Sequence, residues 1–78
     1  MQHEIIIYST PNCPWCARTK KYLKEHNIPF IDYDVSVNQE KAQEMIQKSG
    51  QMGVPVIDID GVIIVGFDKP RIDLLLDL

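Results

Sequence analysis

The chain opens with an apolar run, EIIIY over residues 4–8, in which three consecutive β-branched residues show no alternation. A run of that kind predicts an interior strand covered on both faces. Pro11 breaks it, and Pro14 then stands where proline opens a helix, in the first turn, where its missing N–H costs nothing. From Pro14 to His26 the rhythm is helical: Cys16, Thr19 or Lys20, and Leu23 fall on one stripe, whereas Arg18, Lys21 and Glu25 face water. Asn27 and Pro29 end the helix. FIDYDVS, residues 30–36, alternates Phe30, Asp32 and Asp34 against Ile31, Tyr33 and Val35, which predicts an edge strand with one drier face.

Helical spacing returns between Asn38 and Ser49, with Ala42, Met45 and Ile46 on one stripe and Gly50 placed to stop it. VPVIDID and VIIVG follow as two β-rich runs joined through Asp60-Gly61, a strong signal for an antiparallel hairpin. Finally Asp68 caps a short helix, Pro70 fits its first turn, and Ile72, Leu75 and Leu76 form its apolar face. The order is strand, helix, strand, helix, strand, strand, helix. A right-handed crossover makes the first two strands parallel and leaves few ways to arrange a four-stranded mixed sheet with helices on both faces, an α/β fold.

Length makes residues 1–78 one domain, because a chain this small buries only roughly 60% of the surface its unfolded form exposes. A hydrophobic content of 45% with 24% charged residues excludes disorder, and the net charge of −3 argues against non-specific nucleic-acid binding. No apolar run approaches the ~20 residues that span a bilayer, and MQHEIII lacks the pattern of a signal peptide, so the expected location is the cytoplasm with no membrane partner.

That location bears on the chemistry. The chain has two cysteines, Cys13 and Cys16, separated by Pro14 and Trp15. In a reducing compartment so close a pair is a poor staple, since closing a short loop constrains the unfolded chain little. Cys13 stands at the mouth of a helix, where unpartnered N–H groups and the helix dipole stabilise a thiolate and lower its pKa. Cys16 lies one turn deeper on the same face. The asymmetry assigns roles: Cys13 attacks a substrate disulfide, and Cys16 resolves the mixed disulfide by attacking the Cys13 sulfur. Pro14 limits backbone freedom between them, and Trp15 offers an apolar plate beside the reactive sulfur. A zinc site would need two further ligands, and His3 and His26 do not supply the spacing, so no metal is expected. Asp32, Asp34, Asp58 and Asp60 read as surface charge, and Tyr8 as a packed strand residue.

Taken together, CPWC at 13–16, SGQMGVP at 49–55, the Asp60-Gly61 hairpin and GFD at 66–68 resemble the glutaredoxin family of the thioredoxin fold, over essentially the whole chain. The resemblance implies a dithiol thiol–disulfide oxidoreductase of β-α-β-α-β-β-α topology that reduces protein disulfides, glutathione mixed disulfides or both as a monomer, with no bound cofactor and glutathione as reductant. It further implies that Pro55 is a cis-proline packed against the cysteines, that the backbone of Val54 pairs with the bound cysteinyl substrate, and that Gly66, Phe67 and Asp68 hold the γ-glutamyl end of glutathione. Departures from the family pattern at Thr10, Gly53 and Lys69 each replace a polar contact to glutathione. Two alternatives follow from the same resemblance: an electron donor reduced by thioredoxin reductase and docking to a specific enzyme, or an iron–sulfur cluster-binding glutaredoxin, which Pro14 disfavours. For the dithiol a potential of roughly −200 to −230 mV is expected.

Overall fold

A computed structural model describes residues 3–78. β1 (Ile5–Ser9), α1 (Pro14–Glu25), β2 (Ile31–Asp34), α2 (Gln39–Ser49), β3 (Val56–Ile59), β4 (Val62–Val65) and α3 (Lys69–Leu76) follow in the predicted order. The four strands form one sheet, β2-β1-β3-β4. β1 runs parallel to β2, with Tyr8 opposite Tyr33, and antiparallel to β3, with Ile7 opposite Ile57. β3 and β4 form the antiparallel hairpin, and both residues of its turn have positive φ, 51° at Asp60 and 93° at Gly61. Positive φ at both central positions matches the right-handed twist of the flanking strands, and Asp-Gly is among the few pairs that adopt it cheaply.

Both faces of the sheet are covered. On one, Ile5, Ile7, Ile57, Ile59 and Ile64 pack against Leu23 of α1 and against Ile72 and Leu76 of α3. On the other, Tyr8 and Val56 pack against Met45 of α2. Double coverage is why β1 and β3 carry apolar residues at successive positions.

α1 buries Cys16, Thr19 and Leu23, so Thr19 takes the stripe position and Lys20 stands at its margin. Three expectations are corrected. Ile31, placed on the drier face of β2, is 50% exposed, because β2 is an edge strand and no helix covers its start. Ile46 is 37% exposed, leaving Met45 as the buried residue of α2. Asp58, read as surface charge, is only 8% exposed. Its carboxylate accepts from Lys48 Nζ at 2.8 Å and from the backbone N–H of Gly61 at 2.8 Å. Lys48 also donates to the hydroxyl of fully buried Tyr8, at 2.8 Å, and that hydroxyl donates to Glu44. Tyr8 is therefore a packed residue whose polar end is held beneath the sheet, as a buried hydroxyl requires. Burial pulls the Lys48 ammonium towards neutrality, but its hydrogen bonds to Asp58 and Tyr8 outweigh this and hold its pKa above the ordinary lysine value.

Candidate active site

β1 delivers the chain to the rim of the sheet, and four residues separate its end from the start of α1. Cys13 is the N-cap of α1, in extended conformation, and Pro14 occupies the first helical position. The Cys13 sulfur takes the role usually played by a serine or aspartate oxygen: it accepts the backbone N–H of Cys16 at 3.1 Å. Cys13 is half-buried and Cys16 fully buried. The two are disulfide-bonded, with Cα atoms 5.2 Å apart, within the ordinary range for a disulfide. A spacing of three at a helix N-terminus brings both sulfurs together without moving the backbone.

The second wall comes from the segment before β3. The Val54–Pro55 bond is cis, as the family resemblance implies, and Pro55 is buried. This turn brings the Val54 carbonyl oxygen to 3.8 Å from the Cys13 sulfur. The approach to it is braced by Gln51, whose side-chain oxygen accepts the Gly53 N–H at 2.6 Å while its amide nitrogen donates to the Gly53 carbonyl at 2.9 Å. A Cβ at Gly53 would stand 2.7 Å from that Gln51 oxygen, so glycine here and the glutamine clamp go together. Sequence reasoning did not single out Gln51, since a glutamine two residues from a glycine carries no signal of its own.

The third wall is the turn between β4 and α3. Gly66 donates its N–H to the Pro55 carbonyl at 2.8 Å, which ties this turn to the cis-proline segment, and its φ of 82° is one that residues with a Cβ rarely adopt. Phe67 then packs between Trp15, 6.3 Å away between ring centroids, and Tyr22, 5.7 Å away. Asp68 caps α3, accepting the Arg71 N–H at 3.4 Å. An open cleft of about 210 Å³ results, lined by Trp15, Val54, Pro55, Gly66 and Phe67. Three segments far apart in sequence thus meet, with Cys13 beside them. Trp15, which lines this cleft, is 54% exposed and has the Arg18 guanidinium 5.1 Å from its ring centroid.

Of the positions that depart from the family pattern, Lys69 is engaged outside the cleft. Lys69 pairs with Asp73 at 2.7 Å and lies over the Tyr22 ring. Lys20, the lysine of α1 that approaches the end of β1, pairs with Asp32 at 2.9 Å.

The site is therefore a cysteine pair, closed as a disulfide at a helix N-terminus, with one half-buried and one enclosed sulfur beside an apolar cleft. Comparison with known proteins agrees. The Glutaredoxin family matches residues 5–64. Over 73 residues the chain is 56% identical to the glutaredoxin-like 8.6 kDa protein of the rubredoxin operon of Clostridium pasteurianum, covering 94% of this chain and 97% of that one. It is 39% identical over 62 residues to glutaredoxin 3 of Escherichia coli strain K12, covering 80% and 75% respectively. The crystal structure of a thioredoxin-like protein superposes with a TM-score of 0.87 at 26% identity, over 92% of this chain and 99% of that one. With its Cys13–Cys16 pair at disulfide distance in a thioredoxin-like fold, this chain belongs to the glutaredoxin family.

Proposed function

We propose that the protein is a dithiol oxidoreductase that reduces protein disulfides and glutathione mixed disulfides, with Cys13 as nucleophile, Cys16 as resolving thiol and glutathione as reductant. One observation carries this reading: the half-buried Cys13 sulfur accepts the Cys16 backbone N–H at the N-terminus of α1, while the Cys16 side chain is fully buried. In the reduced protein that N–H and the helix dipole stabilise a Cys13 thiolate. The thiolate attacks one sulfur of the substrate disulfide, and the displaced thiolate leaves and takes up a proton. Cys16, losing its proton, then attacks the Cys13 sulfur, forming the Cys13–Cys16 disulfide and releasing the second substrate thiol. Two electrons have passed from the dithiol to the substrate. Two glutathione thiols restore the dithiol by the reverse exchange and leave as one oxidised glutathione.

In this reading the substrate's cysteinyl backbone lies against Val54, as an added strand would. Trp15, Pro55 and Phe67 enclose its apolar parts. The turn at Gly66, Phe67 and Asp68 receives the γ-glutamyl end of glutathione, with backbone N–H groups at the start of α3 for its carboxylate and the Asp68 carboxylate for its ammonium. A reducing cytoplasm suits both the open dithiol and the glutathione supply.

The test is a pair of substitutions assayed with glutathione, glutathione reductase and a glutathione mixed disulfide. Cys13→Ser should abolish all turnover. Cys16→Ser should keep the attack and accumulate a mixed disulfide at Cys13, visible by mass spectrometry; a Cys16→Ser protein as inert as Cys13→Ser would refute the roles. Thioredoxin reductase is the second electron source to assay in parallel. It is favoured by Thr10, by Gly53 and by the engagement of Lys69 with Asp73, which together remove polar contacts to glutathione.

A further inference from the structure

The charge of this protein is sharply divided. α1 carries Arg18, Lys20, Lys21 and Lys24 against the single Glu25, a net charge of +3, whereas the rest of the chain has four cations and ten anions, a net charge of −6. Elsewhere the cations are mostly neutralised: Lys41, Lys48 and Lys69 each pair with a carboxylate. Among the described residues, Arg18, Lys21 and Lys24 have no carboxylate within ion-pairing distance. All three are exposed. Lys20, Lys21 and Lys24 line a shallow depression of about 490 Å³ that runs along the helix from Ala17, the residue after Cys16, to Glu25, the one acidic residue in its lining.

The position of this stripe gives it meaning. α1 rises about 1.5 Å per residue, so Arg18 and Lys21 lie within roughly 12 Å of the helix start and Lys24 within about 15 Å. A protein partner of ordinary interface size covers about 800 Å² on each side, a patch of roughly 16 Å radius. The footprint of a protein disulfide centred on Cys13 is therefore wide enough to reach these unpaired cations. Arg18, whose guanidinium lies over the ring of Trp15, is the cation of α1 that stands beside the apolar cleft.

We propose that this stripe of α1 is a docking surface for a disulfide protein whose redox cysteine is flanked by acidic residues, so that charge selects among protein substrates at the one sulfur site. The occupant is a redox protein and not a nucleic acid, because the net charge of −6 outside α1 repels an extended polyanion, while a compact acidic patch meets α1 alone. The proposal rests on the exchange activity proposed above and adds its substrate class.

The reduced wild-type protein, mixed in single turnover with disulfide peptides, provides the test, with the fluorescence of Trp15, the single tryptophan, as readout. Two peptides share the same disulfide core, one flanked by aspartate and glutamate, the other by lysine; bis(2-hydroxyethyl) disulfide serves as an uncharged control. The acidic peptide should react faster by about tenfold or more at low salt, a modest case of electrostatic steering. The gap should close when the screening length falls from about 30 Å at ~0.01 M to about 3 Å at ~1 M salt. Lys21→Glu with Lys24→Glu should reverse the preference and leave the rate with the uncharged disulfide unchanged. Equal rates for the two peptides at low salt, or a preference that neither salt nor the double substitution alters, would overturn the proposal. Inertness of the wild type towards the uncharged disulfide as well would overturn the exchange reading itself, and this one with it.

Discussion

Replacing Asp58 with alanine should be among the most damaging polar substitutions in this protein. Asp58 sits on β3 with one carboxylate oxygen on Lys48 Nζ and the other on the Gly61 N–H, both at 2.8 Å. Alanine would leave the Lys48 ammonium with Tyr8 and, at 3.8 Å, Glu44, and would strip the hairpin turn of the side chain that accepts its Gly61 N–H. Hydrogen bonds to charged groups contribute about 1.5–3 kcal/mol each. The Lys48 side chain is 30% exposed, so water recovers part of the lost pairing and the lower end of that range applies to it. With the lost Gly61 contact at about 1 kcal/mol, the expected destabilisation is about 2–3 kcal/mol. In a domain of this size it lowers Tm by roughly 10–20 °C. Urea unfolding measures it: the midpoint should fall with the slope unchanged. Asp58→Asn, which keeps an acceptor for Gly61, should lose about 1 kcal/mol. In a double-mutant cycle with Lys48→Met, the coupling should be about 1 kcal/mol or more. If Asp58→Ala cost under about 0.5 kcal/mol, the range of an ordinary surface change, the carboxylate would not be a buried partner at all.

Gly66→Ala tests the third wall of the cleft: with φ at 82° and no heavy atom near the added Cβ, the cost is conformational only, about 1–2 kcal/mol in urea unfolding, and an unchanged midpoint would refute it. Acid should destabilise the fold below about pH 4, because Glu44, Asp60 and Asp73 are all held below their ordinary values. The causes are hydrogen bonds, from Tyr8 and Lys41 to Glu44, from His3 and the Glu4 N–H to Asp60, and from Lys69 and Tyr22 to Asp73. A depressed folded-state pKa gives stability that is present above the unfolded value and is lost as pH falls through the folded one. A Tm unchanged between about pH 6 and pH 2.5 would contradict this sign, and His3→Ala should reduce the slope by removing the leading contact to Asp60.

The sequence by itself determined the element order, the hairpin and the place of the dithiol. Each depends on neighbours in the chain: apolar rhythm for β1 and α1, Asp60-Gly61 for the turn, and three-residue spacing at a helix start for Cys13 and Cys16. The helix stripe was legible for the same reason, down to Leu23, because helical periodicity is a local property. The family resemblance added Val54, Pro55, Gly66, Phe67 and Asp68 as site residues, but no local rule would have placed the 54–55 and 66–68 segments beside residue 13. Only the sheet order β2-β1-β3-β4, with the hydrogen bond from Gly66 to Pro55, brings Trp15, Val54 and Phe67 to one cleft. Tertiary structure likewise decided the burial of polar residues. Asp58 looks like any strand aspartate until Lys48 of α2 and Tyr8 of β1 are folded against it, because a charge can be buried only where distant segments supply its partners. Ile31 shows the converse: an apolar residue in a regular alternation stays exposed when its strand lies at an edge and nothing packs over it.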